Sequence, residues 1–167
     1  MRVASNYSLF QSFSTSAGRT WTAPEATAMW SVAPRVLALP NGALVATASR
    51  PATGLWVSED GAGVAWKFFN VDAEHNQRAA AGLPLFPAAD AAAKHCNDSA
   101  HCDPTMPSSD GPARSGYNGL QLVNCTATSC VVMVLYDLLE CGWGGCHNGA
   151  PHHDWVFSMR LTVVVAG

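Results

Sequence analysis

Histidine and cysteine are the residue types in this chain best suited to metal or nucleophilic chemistry, and they cluster. His95, Cys96, His101 and Cys102 form one group; Cys141, Cys146, His147, His152 and His153 form another. Thiolate and imidazole in such sets could hold zinc. Neither group contains the C-x2-C pair that marks most zinc sites. The six cysteines fall instead in three close pairs, Cys96/Cys102, Cys125/Cys130 and Cys141/Cys146. Three N-glycosylation sequons accompany them, headed by Asn6, Asn97 and Asn124. An even cysteine count beside sequons points to disulfides formed in an oxidising, secretory compartment. No metal and no cofactor are therefore expected. Local pairing is the simplest connectivity, but six cysteines allow many and spacing does not choose among them.

Bulk composition narrows the class further. With 167 residues the chain can bury one ordinary core, and 49% apolar against 13% charged residues excludes a disordered or coiled-coil polypeptide. A net charge of −3 with only two lysines argues against a nucleic-acid surface. No apolar run approaches the ~18 residues a membrane span requires. Met1 to Asn6 carries no hydrophobic signal core. Secretory features without a signal peptide predict that these residues are part of a longer chain, whose location is secreted, lumenal or cell-surface.

The elements that would position any chemistry are strands. Residues 7–13 and 19–23 are expected to pair as a hairpin. Two apolar runs meet at Asn41-Gly42, the strongest short hairpin signal. Gly54 to Val57 and Trp66 to Val71 add two more strands, so residues 34–71 predict four short antiparallel strands. Residues 72–113 are rich in alanine and proline and predict an irregular insertion, with a helical turn near Ala89–Lys94. Strands are expected again over residues 116–123, 131–136 and 155–164, with a tight turn between Cys125 and Cys130. The count is two, then four, then three. The fold class is all-β, built from antiparallel sheets.

Two of the connecting turns resemble each other. Ser14-Thr15-Ser16-Ala17-Gly18-Arg19-Thr20-Trp21 and Ser58-Glu59-Asp60-Gly61-Ala62-Gly63-Val64-Ala65-Trp66 each run serine, polar residue, glycine, tryptophan, and their first serines lie 44 residues apart. A repeat at that spacing predicts propeller blades. The pattern resembles the Asp-box, S-x-D-x-G-x-T-W, of the sialidase (neuraminidase) superfamily. The first copy has Ser16 where the aspartate belongs; the second keeps Asp60 but is one residue longer and lacks the threonine. In such a box a short polar side chain binds turn amides, glycine takes positive φ, and tryptophan wedges under the hairpin.

The C-terminal third extends the resemblance. Sialidases carry a tyrosine in a G/A-Y-S-x-L context, a strand ending L-Y-E, and a closing strand of type V-F-x-M-x-L. Here Gly116-Tyr117-Asn118-Gly119-Leu120, Val134-Leu135-Tyr136-Asp137 and Val156-Phe157-Ser158-Met159-Arg160-Leu161 follow in the same order. The resemblance implies a β-propeller of six four-stranded blades, incomplete in this chain, with residues 34–71 as one blade and 114–167 as the C-terminal one. It implies a parent protein that hydrolyses terminal α-linked sialic acid, or a related acidic sugar, from glycoconjugates. Its partners are then sialylated or other acidic glycans.

In the family the matching tyrosine is the nucleophile of a retaining glycosidase. The anomeric carbon of sialic acid already bears a carboxylate, which repels a carboxylate nucleophile but not a neutral phenol. The resemblance implies that Tyr117 is this nucleophile. It implies that Arg50 is one of three arginines that clamp the substrate carboxylate, since guanidinium pairs with carboxylate bidentately. Asp137 takes the place of a glutamate that supports the arginine cluster. The family's second arginine has no match at Ser8-Leu9-Phe10-Gln11. Its first arginine, its acid/base aspartate and the glutamate that partners the tyrosine belong to earlier blades, so the 167 residues alone are expected to be inactive. His75 and Asn76 are placed near the same mouth. The competing reading is a non-catalytic propeller that binds glycans or proteins, because architecture alone does not fix function.

Overall fold

The computed structural model describes residues 8–30, 32–49, 53–86, 117–139 and 153–165. They form nine strands and one helix, arranged as three antiparallel sheets. The first sheet pairs β1 (Ser8–Gln11) with β2 (Glu25–Trp30). The second is a four-stranded meander of β3 (Val32–Ala38), β4 (Leu44–Ser49), β5 (Gly54–Ser58) and β6 (Lys67–Asn70). Helix α1 (Val71–Arg78) follows directly. The third sheet is β7 (Gly119–Cys125), β8 (Ser129–Leu139) and β9 (Asp154–Val164).

Sequence chemistry explains most of these boundaries. The second strand of the first hairpin begins at Glu25 and not within 19–23, because the box turn continues to Thr22. Thr22 closes that turn by donating its N–H to the Phe13 carbonyl at 2.8 Å, while its Oγ1 accepts from the Phe13 N–H at 3.0 Å. Pro24, which has no N–H, then separates the turn from the ladder. The β3–β4 register slips between Val32 and Arg35, where Ala33 takes φ 52° and Pro34 cannot donate. Helix α1 occupies the start of the stretch expected to be irregular. Its cap is Asn70, whose side chain accepts from the Ala73 N–H at 3.0 Å, and Asp72 and Glu74 place acid in the first turn. The turn expected at Ala89–Lys94 lies outside the described residues.

The middle sheet is covered on both faces. One face presents Val45, Leu55 and partly buried Leu37, Val57 and Phe69, which pack with Val132, Val134, Tyr136, Leu138 and Met159 of the third sheet. The other face presents Ala46, Ala48 and Trp56, against which Leu9 of the first sheet packs. The strict alternation along β8 follows from its single covered face: Cys130, Val132, Val134, Tyr136 and Leu138 point inward. β4 shows no such alternation and is buried from Val45 to Ser49, as a strand between two layers must be. The first sheet covers this face incompletely. A largely apolar cavity of about 220 Å³ remains beside it, lined by Leu9, Phe10, Phe13, Val36, Trp56 and Trp66 among others.

Leu138 is fully buried between the second and third sheets. Leu138→Ala is expected to cost about 3 kcal/mol of unfolding free energy, read as a lower urea midpoint at unchanged slope for the purified chain.

Candidate functional site

Strand direction divides the molecule into two ends. At one end lie the turn of residues 39–43, both serine-glycine-tryptophan turns, and the turn between β7 and β8. At the other lie the start of β3, the ends of β4 and β6, helix α1, the start of β7 and the end of β8. The Asn118 Nδ2, just before β7, donates to the carbonyl of Ala33 near the start of β3 at 3.0 Å, and so ties the second and third sheets together at this second end.

The two box turns are closed by the same bonds. In the first, Ser14 Oγ accepts from the Gly18 N–H at 2.8 Å and Trp21 Nε1 donates to the Gly18 carbonyl at 3.0 Å. In the second, Ser58 Oγ accepts from the Gly63 N–H at 3.1 Å and Trp66 Nε1 donates to the Gly63 carbonyl at 2.9 Å. Gly18 and Gly63 both adopt positive φ, 82° and 70°. The extra residue of the second turn therefore lies between serine and glycine, and the glycine-to-tryptophan step is conserved between the copies. Asp60 binds the turn internally, accepting from Ser58 Oγ at 2.7 Å and from the Ala62 N–H at 3.0 Å. These bonds hold its carboxyl below the usual range, with Ser58 the larger influence. In the first turn Ser16 Oγ takes over part of this role by accepting from the Thr20 N–H at 2.8 Å. The tryptophans differ: Trp66 is half-buried against the Ala46–Trp56 cluster, whereas Trp21 is 63% exposed and lies beside its own Gly18. The expectation that each wedges into the sheet thus applies to Trp66 alone.

Tyr117 and Asp137 lie at the opposite end. The ladder opposes Gly119 and Leu135, so two residues further out Tyr117 and Asp137 flank the same end of the β7–β8 pair. Tyr117 is 65% exposed and Asp137 is half-buried. Between them in role stands Asn118, which the spacing arguments passed over. Its Nδ2 is committed to Ala33, and its Oδ1 is buried with no partner among the described residues. Arg50 lies outside the described residues, but the neighbouring Thr53 is held firmly. Its N–H donates to Asp72 Oδ2 at 3.0 Å and its carbonyl accepts from the Val71 N–H at 3.1 Å.

Behind this end is a buried polar cluster. His75 is 6% exposed, with its ring edge-on to Phe86, Tyr136 and Phe157. His75 Nε2 is 3.1 Å from the Pro84 carbonyl and Nδ1 is 3.0 Å from Tyr136 Oη. A carbonyl only accepts, so in the neutral ring Nε2 carries the proton and the Tyr136 hydroxyl donates to Nδ1. Asn76 binds both backbone groups of Phe86, at 2.8 and 2.9 Å. His75 and Asn76 thus brace the fold from within and do not line a mouth. Burial, and secondarily the charge of Asp72, push the Tyr136 phenol up to about 12.

Of the cysteines, Cys125 and Cys130 form a disulfide across the end of the β7–β8 hairpin. Cys96, Cys102, Cys141 and Cys146 lie outside the described residues, as do Asn6 and Asn97. Asn124 is exposed on β7. Of the histidines weighed as zinc ligands only His153 is described, and its ring lies 5.8 Å from that of Trp155. Comparison with family models, with curated proteins and with solved structures finds no match to this chain.

Tyr136→Phe removes the donor to a buried imidazole nitrogen and is expected to cost about 1–3 kcal/mol, read by urea denaturation near neutral pH. A phenol whose folded pKa is raised contributes stability that is complete below its unfolded value, about 10, and is lost as pH rises through about 12. The wild type should therefore lose stability relative to Tyr136→Phe across that window. A difference that stays constant with pH would show that the raised phenol does not contribute.

Proposed function

We propose that these residues belong to a sialidase-type β-propeller and that the parent protein removes terminal α-linked sialic acid, or a related acidic sugar, from glycoconjugates. One observation carries the reading. Two turns of the Asp-box pattern, closed by the same serine–glycine and tryptophan–glycine bonds, stand at one end of successive sheets, while Tyr117 and Asp137 stand at the other. In the superfamily that the motifs resemble, the boxes likewise lie away from the active site.

On this reading Tyr117 Oη attacks the anomeric carbon, and its proton passes to a carboxylate base. The bond to the aglycone oxygen breaks as a general acid protonates that oxygen. Water then cleaves the tyrosyl glycoside with net retention. Arg50 clamps the substrate carboxylate and Asp137 supports the arginine. Residues 1–167 contain no match to the family's acid/base aspartate or its tyrosine-partner glutamate, so the isolated chain is predicted to be inactive. The second reading, a non-catalytic glycan- or protein-binding propeller, is favoured by Ser8-Leu9-Phe10-Gln11, which holds no arginine where the family's second clamp arginine stands.

The full-length gene product is expected to turn over a fluorogenic α-sialoside, and Tyr117→Phe to lower kcat/KM on the order of 10³-fold or more, with the urea midpoint unchanged. Turnover that survives in the variant would overturn the nucleophile assignment. A folded wild type without turnover would leave the binding reading, and loss of sialoside binding in Tyr117→Ala would then support it.

A further inference from the structure

The sequon Asn124-Cys125-Thr126 overlaps the turn that the disulfide closes, and every one of its residues is engaged there. Asn124 lies opposite Val131, directly after a register slip that begins at Leu122. Cys125 is opposite Cys130 and bonded to it. The Thr126 hydroxyl is used twice, donating to the Ser129 carbonyl and accepting from the Ser129 N–H, both at 3.1 Å. The Thr126 N–H also donates to the Ser129 carbonyl, at 2.7 Å, and the Val165 N–H ties Thr128 to the end of β9 at 3.0 Å. A transferase that reads a sequon must draw the segment into its own cleft and bind the hydroxyl of the third residue. The closed turn withholds both the strand and the hydroxyl. The Asn124 side chain itself is exposed, so a glycan attached earlier fits the finished hairpin.

We propose that Asn124 accepts an N-linked glycan only while Cys125 and Cys130 are still thiols, so that glycosylation and disulfide closure compete for one short segment. In the first reaction the Asn124 amide nitrogen attacks the anomeric carbon of an oligosaccharide carried on a lipid pyrophosphate. A C–N bond forms, the C–O bond to pyrophosphate breaks, and the amide proton leaves to the transferase's base. In the second, the two thiols become one disulfide, and two electrons and two protons pass to a disulfide oxidant, which is reduced to two thiols. The order of the two reactions fixes whether the mature hairpin carries a glycan. This inference needs passage through an oxidising lumen but is independent of the sialidase reading.

The test expresses the chain behind a cleavable secretion signal in eukaryotic cells and measures occupancy of each sequon by mass spectrometry after glycosidase release in heavy-oxygen water. Partial occupancy of Asn124 is expected in the wild type, rising at least two-fold in Cys130→Ser and in the Cys125→Ser/Cys130→Ser pair, with Asn6 and Asn97 unchanged. Val134→Ala loosens β8 with the cysteines intact and is expected to leave Asn124 occupancy as in the wild type. Equal occupancy with and without the bridge, whether none, partial or complete, overturns the proposal. So does an equal rise in Val134→Ala, which would make general misfolding the cause.

Discussion

The burial of β4 on both faces is the constraint on which the other packing depends. A strand between two layers cannot use the usual alternation of apolar and polar side chains, so each of its faces must suit a different neighbour. Toward the first sheet it offers Ala46 and Ala48, small enough to leave room for the Trp56 ring. Toward the third it offers Val45, which shares one buried cluster with Val132, Val134 and Leu138 of β8. The hydroxyl of Thr47, buried with them, is satisfied by donating to the Gly54 carbonyl at 2.8 Å. A larger residue at Ala46 would push the layers apart. A charged residue at Val45 would have no partner in the aliphatic layer.

The two box turns show how one geometric demand is met by different side chains. Each must satisfy the amides of a turn that enters a left-handed glycine and leaves through a tryptophan. Serine and glycine supply the common part in both. A further amide is served in each: Ser16 Oγ accepts from Thr20, after the glycine, in the first turn, and the Asp60 carboxylate accepts from Ala62, before the glycine, in the second. A shared sequence letter at each position is therefore less informative than a shared donor–acceptor pattern. That is why an inserted residue and a missing aspartate leave the likeness between the turns intact.

This also bears on how much the sequence disclosed. The grouping of strands into two, four and three was legible because Asn41-Gly42, the box glycines and the Cys125/Cys130 pair punctuate them. The all-β class followed from the same marks, whereas the Cys125–Cys130 bridge was only the simplest of the pairings that six cysteines allow. The start of β2 was not legible, because the extent of the turn depends on Thr22 reaching Phe13 across it. Helix α1 was overlooked although its signals were present: a capping asparagine followed by acid in the first turn. The role of His75 could not be read at all. Its partners Pro84 and Tyr136 come from a nearby loop and a strand 61 positions away, and no local pattern announces a contact of that range.

That long-range contact separates the two ends of the molecule physically. At the end with the boxes, each box turn is closed by bonds between its own residues. The end with Tyr117 and Asp137 is assembled from elements far apart in sequence. Asp72 holds Thr53, His75 holds Tyr136 and Pro84, and Asn118 holds Ala33. Tyr136 points inward and Asp137, its neighbour on the strand, points to the other face, so fixing the first also fixes where the second emerges. The Asp72–Thr53 and His75–Tyr136 bonds are buried, and the loss of such bonds costs more than that of exposed ones. Chemistry that needs several side chains to converge is better served by such an end than by self-contained turns.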